Sequence, residues 1–439
     1  MTAVPVPPVQ LDPLIAEAKQ RQRRRRLVLL ATVLAAGAAG YGIDRAVGSG
    51  QPARPLPAVD ASAFAGHGRL AFVSRGRLYV LDGRARRLVA VTGTGASAPA
   101  FSPDGRWLTY LYRGRVGLAA ADGTGARTLS TRLGASWLPD GRLLAGRAIY
   151  RIAPDGTPLR AGSVPVDPVA WAPDGSRFVF DTTRIVHDRG GAFHGVELIQ
   201  VAHSLAGRRV TWYRIPQRFT PRSGFRTPGV VRVVVLPRRQ GILFWLDPGH
   251  SESLAADGLP VYRLAAPGAK PRKLGTTVGF GVSIARTGSF ALAGGVDRIA
   301  WVTKTALACR AARCAPVRST APLTLEPALS PDGSTLAYVT AASEGTNLSF
   351  VQPALRRWYA TRRLRIGTRL VPESAGAAAP VWSADGRSLL FAKDDALWLL
   401  PSLHGRPVRV AAPLFGTRAW PNAHGNVPWP SQFAWSSRP

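Results

Sequence analysis

Pro99-Ala100-Phe101-Ser102-Pro103-Asp104-Gly105-Arg106-Trp107-Leu108-Thr109-Tyr110 reads as two short strands joined by a tight turn. Pro103 presets φ for the second turn position, Asp104 tolerates the third, and Gly105 takes the positive φ that closes the hairpin. The flanks Ala-Phe-Ser and Trp-Leu-Thr-Tyr have the aromatic and β-branched character of strands. One such hairpin decides little, but this one recurs.

It returns at Ser136–Leu144, Val169–Phe180, Ala328–Tyr338 and Val381–Phe391, with decayed copies around Leu236–Trp245 and Ser283–Leu292. In the second decayed copy Arg286-Thr287-Gly288 replaces Pro-Asp-Gly. A second hairpin follows each copy, for example at Asp82-Gly83, Asp122-Gly123 and Asp155-Gly156. Asp-Gly between alternating strands is a strong hairpin signal. Each unit therefore holds about four strands in roughly 35–55 residues, the period of β-propeller blades. The pattern aromatic-Ser-Pro-Asp-Gly-x-x-Leu-x-Tyr resembles the WD-repeat-like blade motif of the TolB-like propeller family, from about residue 67 onward. The resemblance implies a fold and leaves function open.

The first unit lacks a Phe-Ser-Pro-Asp-Gly strand, and Gln432-Phe433-Ala434-Trp435-Ser436 supplies its start at the far end of the chain. Pairing Phe433–Ser436 beside Arg69–Val73 would close the ring. With that closure the count is eight units, starting near residues 69, 99, 135, 169, 231, 282, 327 and 380, with seven as the open alternative. The expected fold is thus an all-β propeller of four-stranded blades over residues 66–439, closed by the C-terminal strand and preceded by one transmembrane helix.

That helix is expected at residues 27–43, an uncharged run behind the basic block Lys19–Arg26. The run is at the lower limit for a membrane span. The positive-inside rule puts residues 1–26 in the cytoplasm and the propeller outside the cell membrane. Ala36-Gly37-Ala38 leaves a cleavable signal as a rival, and a buried soluble helix is a third reading. Residues 44–65 read as a Pro-rich linker.

The net charge is +32, with 57 Lys and Arg against 25 Asp and Glu, spread along the chain. Such an excess fits attraction to an anionic partner, or solvated arginines fixed by coding bias. Cys309 and Cys314 fall in an outer hairpin of the sixth unit, where a local disulfide is expected in an oxidising compartment.

No catalytic constellation emerges. Gly249-His250-Ser251-Glu252-Ser253 departs from a nucleophile elbow at its fifth residue. The seven histidines are scattered, although His187, Asp188 and His194 share one insertion. The Asp residues of the repeats, Asp104, Asp140, Asp174, Asp332 and Asp385, are explained by their turns. Prolyl oligopeptidases pair a propeller with an α/β-hydrolase domain, and no segment of that size follows the last unit here.

A binding face can be derived from topology. The Pro-Asp-Gly turns mark one face of a propeller, and the loops joining the second and third strands mark the other. Arg75, Arg77, Arg113, Arg115, Arg147 and Arg184 are placed on that second face as a basic arc. Asp247, His250, Asp394 and Asp395 are expected on its far sector. Irregular stretches at 184–195, 217–229 and 413–430 are decoration or binding elements. The expectation is a membrane-anchored monomer that binds an envelope protein or anionic polymer, not nucleic acid, with no cofactor, metal or catalysis of its own. A propeller enzyme of lactonase, lyase or glycosidase type, or a soluble periplasmic protein, are the rivals.

Overall fold

The computed structural model describes residues 56–437, apart from 130–133, 165, 167, 188–189, 221–223, 248–257, 279–280, 295–302, 311–312, 344–351 and 417–428. The expected membrane helix at 27–43, His250 and most of 413–430 lie outside the described residues. No helix among the described residues is long and apolar enough to cross a membrane.

The described residues form eight antiparallel sheets, the blades of a propeller. The second blade shows the plan: Ala96–Phe101, Trp107–Tyr112, Arg115–Ala120 and Arg127–Thr128 pair in sequence order. First strands of neighbouring blades touch one another, so they form the inner ring. The Ser-Pro-Asp-Gly turns have the expected chemistry. Ser102 Oγ donates to Asp104 at 2.5 Å and accepts the Trp107 N–H at 2.9 Å, and Gly105 has φ 73°. Ser330 and Asp332 repeat the bond at 2.5 Å, as do Ser383 and Asp385.

Two features of the inner strands join blade to blade. The motif tryptophans reach back one blade: Trp137 Nε1 donates to the Ala100 carbonyl at 3.1 Å, and Trp382 Nε1 to Ala328 at 2.8 Å. The inner strands also bulge just before a proline. Ala98, Glu326 and Ala379 all have positive φ, and each precedes proline at 99, 327 or 380. The pairing register shifts at each of these places. Such backbone costs about 1–3 kcal/mol per residue and persists only where neighbours fix it. Here they do: the Glu326 carboxylate accepts the Ala379 N–H of the next bulge at 2.7 Å.

The ring closes twice. Phe433–Ser436 is the innermost strand of blade one, in the register Phe72 to Phe433 and Arg69 to Ser436. Phe433 is buried and Trp435 half-buried. In addition Ala58–Val59 pairs with Ala411 and Ala412 as a fifth, outermost strand of blade eight. The propeller thus takes in part of the stretch expected to be linker, and Phe64 is fully buried in the core beside Leu70 and Leu81. The linker reading rested on prolines, but a two-residue edge strand needs little sequence signal.

Candidate binding face

Arg75-Gly76 and Arg113-Gly114 are two-residue turns between the second and third strands of blades one and two. Their φ values, 49° and 78° in the first and 50° and 74° in the second, are those of a hairpin turn twisted to match its strands. Asn or Asp is the usual first residue there; arginine accepts the same strain and sets a cation at the tip. In blade eight the equivalent turn is Asp394-Asp395, with φ 49° and 60°.

Blade eight adjoins blade one through Leu414, which bonds both Asp395 and Arg75, so the Asp394-Asp395 turn is beside Arg75 and not on the far sector expected for it. The Asp395 carboxylate accepts three main-chain N–H groups, from Leu414 at 3.1 Å, Phe415 at 2.6 Å and Gly416 at 2.9 Å. The Arg75 N–H donates to the Leu414 carbonyl at 2.7 Å. Burial pushes the Asp395 pKa up, opposed by these three bonds and by the Arg75 charge. Asp395 therefore fastens the link from blade eight back to blade one, and Arg75 is partly offset by it.

The other arginines stand apart. Arg113, Arg115, Arg147 and Arg184 are exposed and Arg77 is half-buried. None of these five makes an ion pair with a described residue, and Arg113 rests 5.3 Å from the Tyr112 ring. Arg77 Nε is buried with no hydrogen-bond partner.

The stretches at 184–195 and 217–229 turn out to be largely one element. In blade four, Phe178–His187, Phe193–Ala202 and Val210–Thr220 are long strands that pair along their whole length. Ten residues replace the three to six of other blades, so against the six-residue strand of blade two this arm extends past the loop face by roughly 13 Å at 3.3 Å per residue. Register decides its two surfaces. His187, Phe193, Phe219 and Phe225 are successive cross-strand partners and make an aromatic row, with Phe193 stacked 4.9 Å from Phe219. The residues between them point the other way. Arg184, Val186, His194, Arg214 and Arg218 share that opposite surface, and all five are exposed. Arg184, Arg214 and Arg218 make no ion pair with described residues. His187 and His194, which share this insertion, are on opposite surfaces because their strand positions differ by one. Sequence reasoning missed Arg214 and Arg218; their even spacing from each other was legible, but not the strand pairing that sets them beside Arg184.

A further element was not expected. The helix Gln352–Ala360 follows the second strand of blade seven and buries Trp358 and Tyr359 against blades seven and eight. Behind it Arg362 is 2% exposed and pairs with Glu326 at 2.5 Å. The Arg362 guanidinium is 4.5 Å from the Tyr359 ring centre. Burial pushes the Tyr359 hydroxyl up to about 12.

The opposite face carries the Asp turns, whose carboxylates are spent on their own loops. Among the described residues no group of three His, Cys, Asp or Glu side chains could hold a metal. Cys309 and Cys314 are directly opposed in the third and fourth strands of blade six and joined by a disulfide.

No protein-family model matches the sequence, and no curated protein matches it. Among solved structures the chain is similar to TolB from Acinetobacter baumannii, at 14% identity and TM-score 0.32 over 79% of this chain and 64% of that one. It is similar to the WD40 domain of SCAP from fission yeast, at 10% identity and TM-score 0.29 over 81% of this chain and 83% of that one. Acylaminoacyl peptidase from Pyrococcus horikoshii matches at 11% identity and TM-score 0.36, over 80% of this chain and 53% of that one. The chain thus spans well short of the full length of TolB and of the peptidase, and these likenesses carry no argument about activity.

Proposed function

We propose that this chain is a binding module that docks an anionic partner, an envelope protein or an anionic polymer, on the loop face of its propeller. One observation carries the reading. Arg113, Arg115 and Arg147 on the turns, and Arg184, Arg214 and Arg218 on the arm, are six exposed cations on one face without an ion pair to a described residue. A cation left unpaired at a surface is available to a counter-charge. A cluster of them on one rigid face raises the rate and the selectivity of association with an anionic partner. On the Pro-Asp-Gly face Arg106 pairs with Asp104 and Arg142 with Asp140, each at 2.6 Å, while Arg286 and Arg387 are exposed there without an ion pair to a described residue. On this reading the module does no chemistry, and the run at 27–43 holds it to a cell membrane with the propeller outside.

The test is binding of the full chain, in detergent, to fluorescent polyglutamate and polyphosphate across a salt titration. The reading expects tight binding at low salt that weakens steeply as salt rises. Binding that is absent, or indifferent to salt, would remove it.

A further inference from the structure

The arm in blade four has an inner edge that no described strand covers. The first strand of this blade, Ala170–Trp171, pairs only with Phe178 and Val179, while the second strand runs on to His187. The Val169 N–H donates to the Val179 carbonyl at 2.8 Å, so the main-chain groups of residue 179 point to the inner side. Along an antiparallel strand these groups alternate in direction with period two. Those of Thr183, Ile185 and His187 therefore point inward too. No described residue hydrogen-bonds to Thr183 or Ile185 on that side.

An unpaired strand edge is a template for another strand, and proteins normally blunt such edges. The outer strand of this arm is blunted: Pro216 has no N–H to offer, and Gly224–Phe225 covers Phe219 and Thr220. From Asp181 to His187 there is no proline. Val186, in the same stretch, is 71% exposed.

Charge selects the occupant. Arg184 sits on the open strand itself, with Arg214 and Arg218 on the same surface two strands away. A second copy of this chain would bring the same cations and a net charge of +32. The chain's own residues 1–26 bring six Lys and Arg against two Asp and Glu. Both are repelled. We propose that an acidic, extended segment of a partner protein adds as a strand to Thr183–His187, with every second side chain an acid lying over Arg184 and its neighbours. Main-chain bonds would supply the docking and the alternate acids the choice of partner. This rests on the reading of the loop face as an anion-binding surface.

The experiment uses the full chain in detergent and a short peptide alternating glutamate with valine. Two N-methylated isomers are compared with it, one methylated at the valine amides and one at the glutamate amides. In an added strand only one of these sets faces the edge. Strand pairing therefore predicts that one isomer binds at least about tenfold more weakly while the other binds like the parent. Ile185→Pro removes a donor that faces the open edge and spares the ladder to Phe193–Ala202. It should weaken the parent peptide by a similar factor and leave polyphosphate binding unchanged. If both isomers bind like the parent, or lose binding equally, the strand edge is not the site, although the anion-binding reading stands. Self-association abolished by Ile185→Pro would assign the edge to a second copy and overturn the proposal. If neither the peptide nor polyphosphate binds, the functional reading falls and the proposal falls with it.

Discussion

The Trp435 indole N–H donates to the His67 carbonyl at 2.7 Å, across 368 positions of sequence. It ties the last strand of the chain to the segment that enters the first blade. Ser437 adds a second tie, its Oγ accepting the Ala384 N–H at 2.6 Å. Deleting residues 432–439 strips the inner strand from blade one and exposes Leu70 and Phe72, which pair with it. The shortened chain should melt far lower or aggregate. Trp435→Phe keeps the ring but loses the bond, and should cost about 1 kcal/mol in urea denaturation.

The second closure makes its own prediction. Ala58–Val59 pairs with blade eight, and Phe64 is buried a few residues on. Phe64→Ala should cost about 3–5 kcal/mol, the ordinary loss for an aromatic side chain removed from a packed core. A loss under about 1 kcal/mol, the level of a surface change, would mean that the segment before Gly66 does not contribute to the fold.

The Glu326–Arg362 pair is buried at its arginine end only, with the Arg362 side chain 2% exposed and the Glu326 side chain 34%. Glu326→Ala leaves the Arg362 guanidinium buried without its carboxylate and also frees the Ala379 N–H. The expected cost is about 2–3 kcal/mol by denaturant unfolding, below that of a fully buried pair because solvent reaches the Glu326 side. Adding Arg362→Met to that variant should recover part of the loss, because the unpaired charge is then gone. A double variant weaker than the single one would show that Arg362 stabilises by packing on Tyr359 alone.

The sequence carried the ring and its closure, because Ser-Pro-Asp-Gly turns and their aromatic flanks are local signals. Phe433-Ala-Trp-Ser repeats the flank of a motif whose other half is missing. The arm was legible only as two irregular stretches. Its pairing, Gly195 against Gln217, is a long-range choice that no short window encodes. The Glu326–Arg362 pair was invisible for the same reason. Asp395 was misplaced although the expected closure already makes the last unit the neighbour of the first; its bonds to Leu414, Phe415 and Gly416 show the adjacency.

Acid should act through the turns. Ser330 and Ser334 hold the Asp332 carboxyl down to about 2, from an ordinary 3.8. Asp385 is lowered too, by Ser383 first. A folded-state pKa below the unfolded one contributes stability that is fully present above 3.8 and is lost as pH falls through the folded value. Thermal stability should therefore fall between pH 3.8 and about 2, and Asp332→Asn should flatten part of that fall. An unchanged slope in the variant would remove this turn from the acid response.

The central claim is that the loop face, and not the net charge of +32, binds the anionic partner. Two triple variants of equal charge separate these. Arg184, Arg214 and Arg218 are changed to Glu on the arm; Arg106, Arg142 and Arg387 are changed to Glu on the Pro-Asp-Gly face. Polyglutamate binding by the full chain is measured by fluorescence anisotropy at one salt concentration. The arm variant should lose at least about tenfold in affinity, and the turn-face variant less than about threefold, where tenfold corresponds to about 1.4 kcal/mol. Equal losses in the two variants would show that charge acts without a site, and would contradict the account.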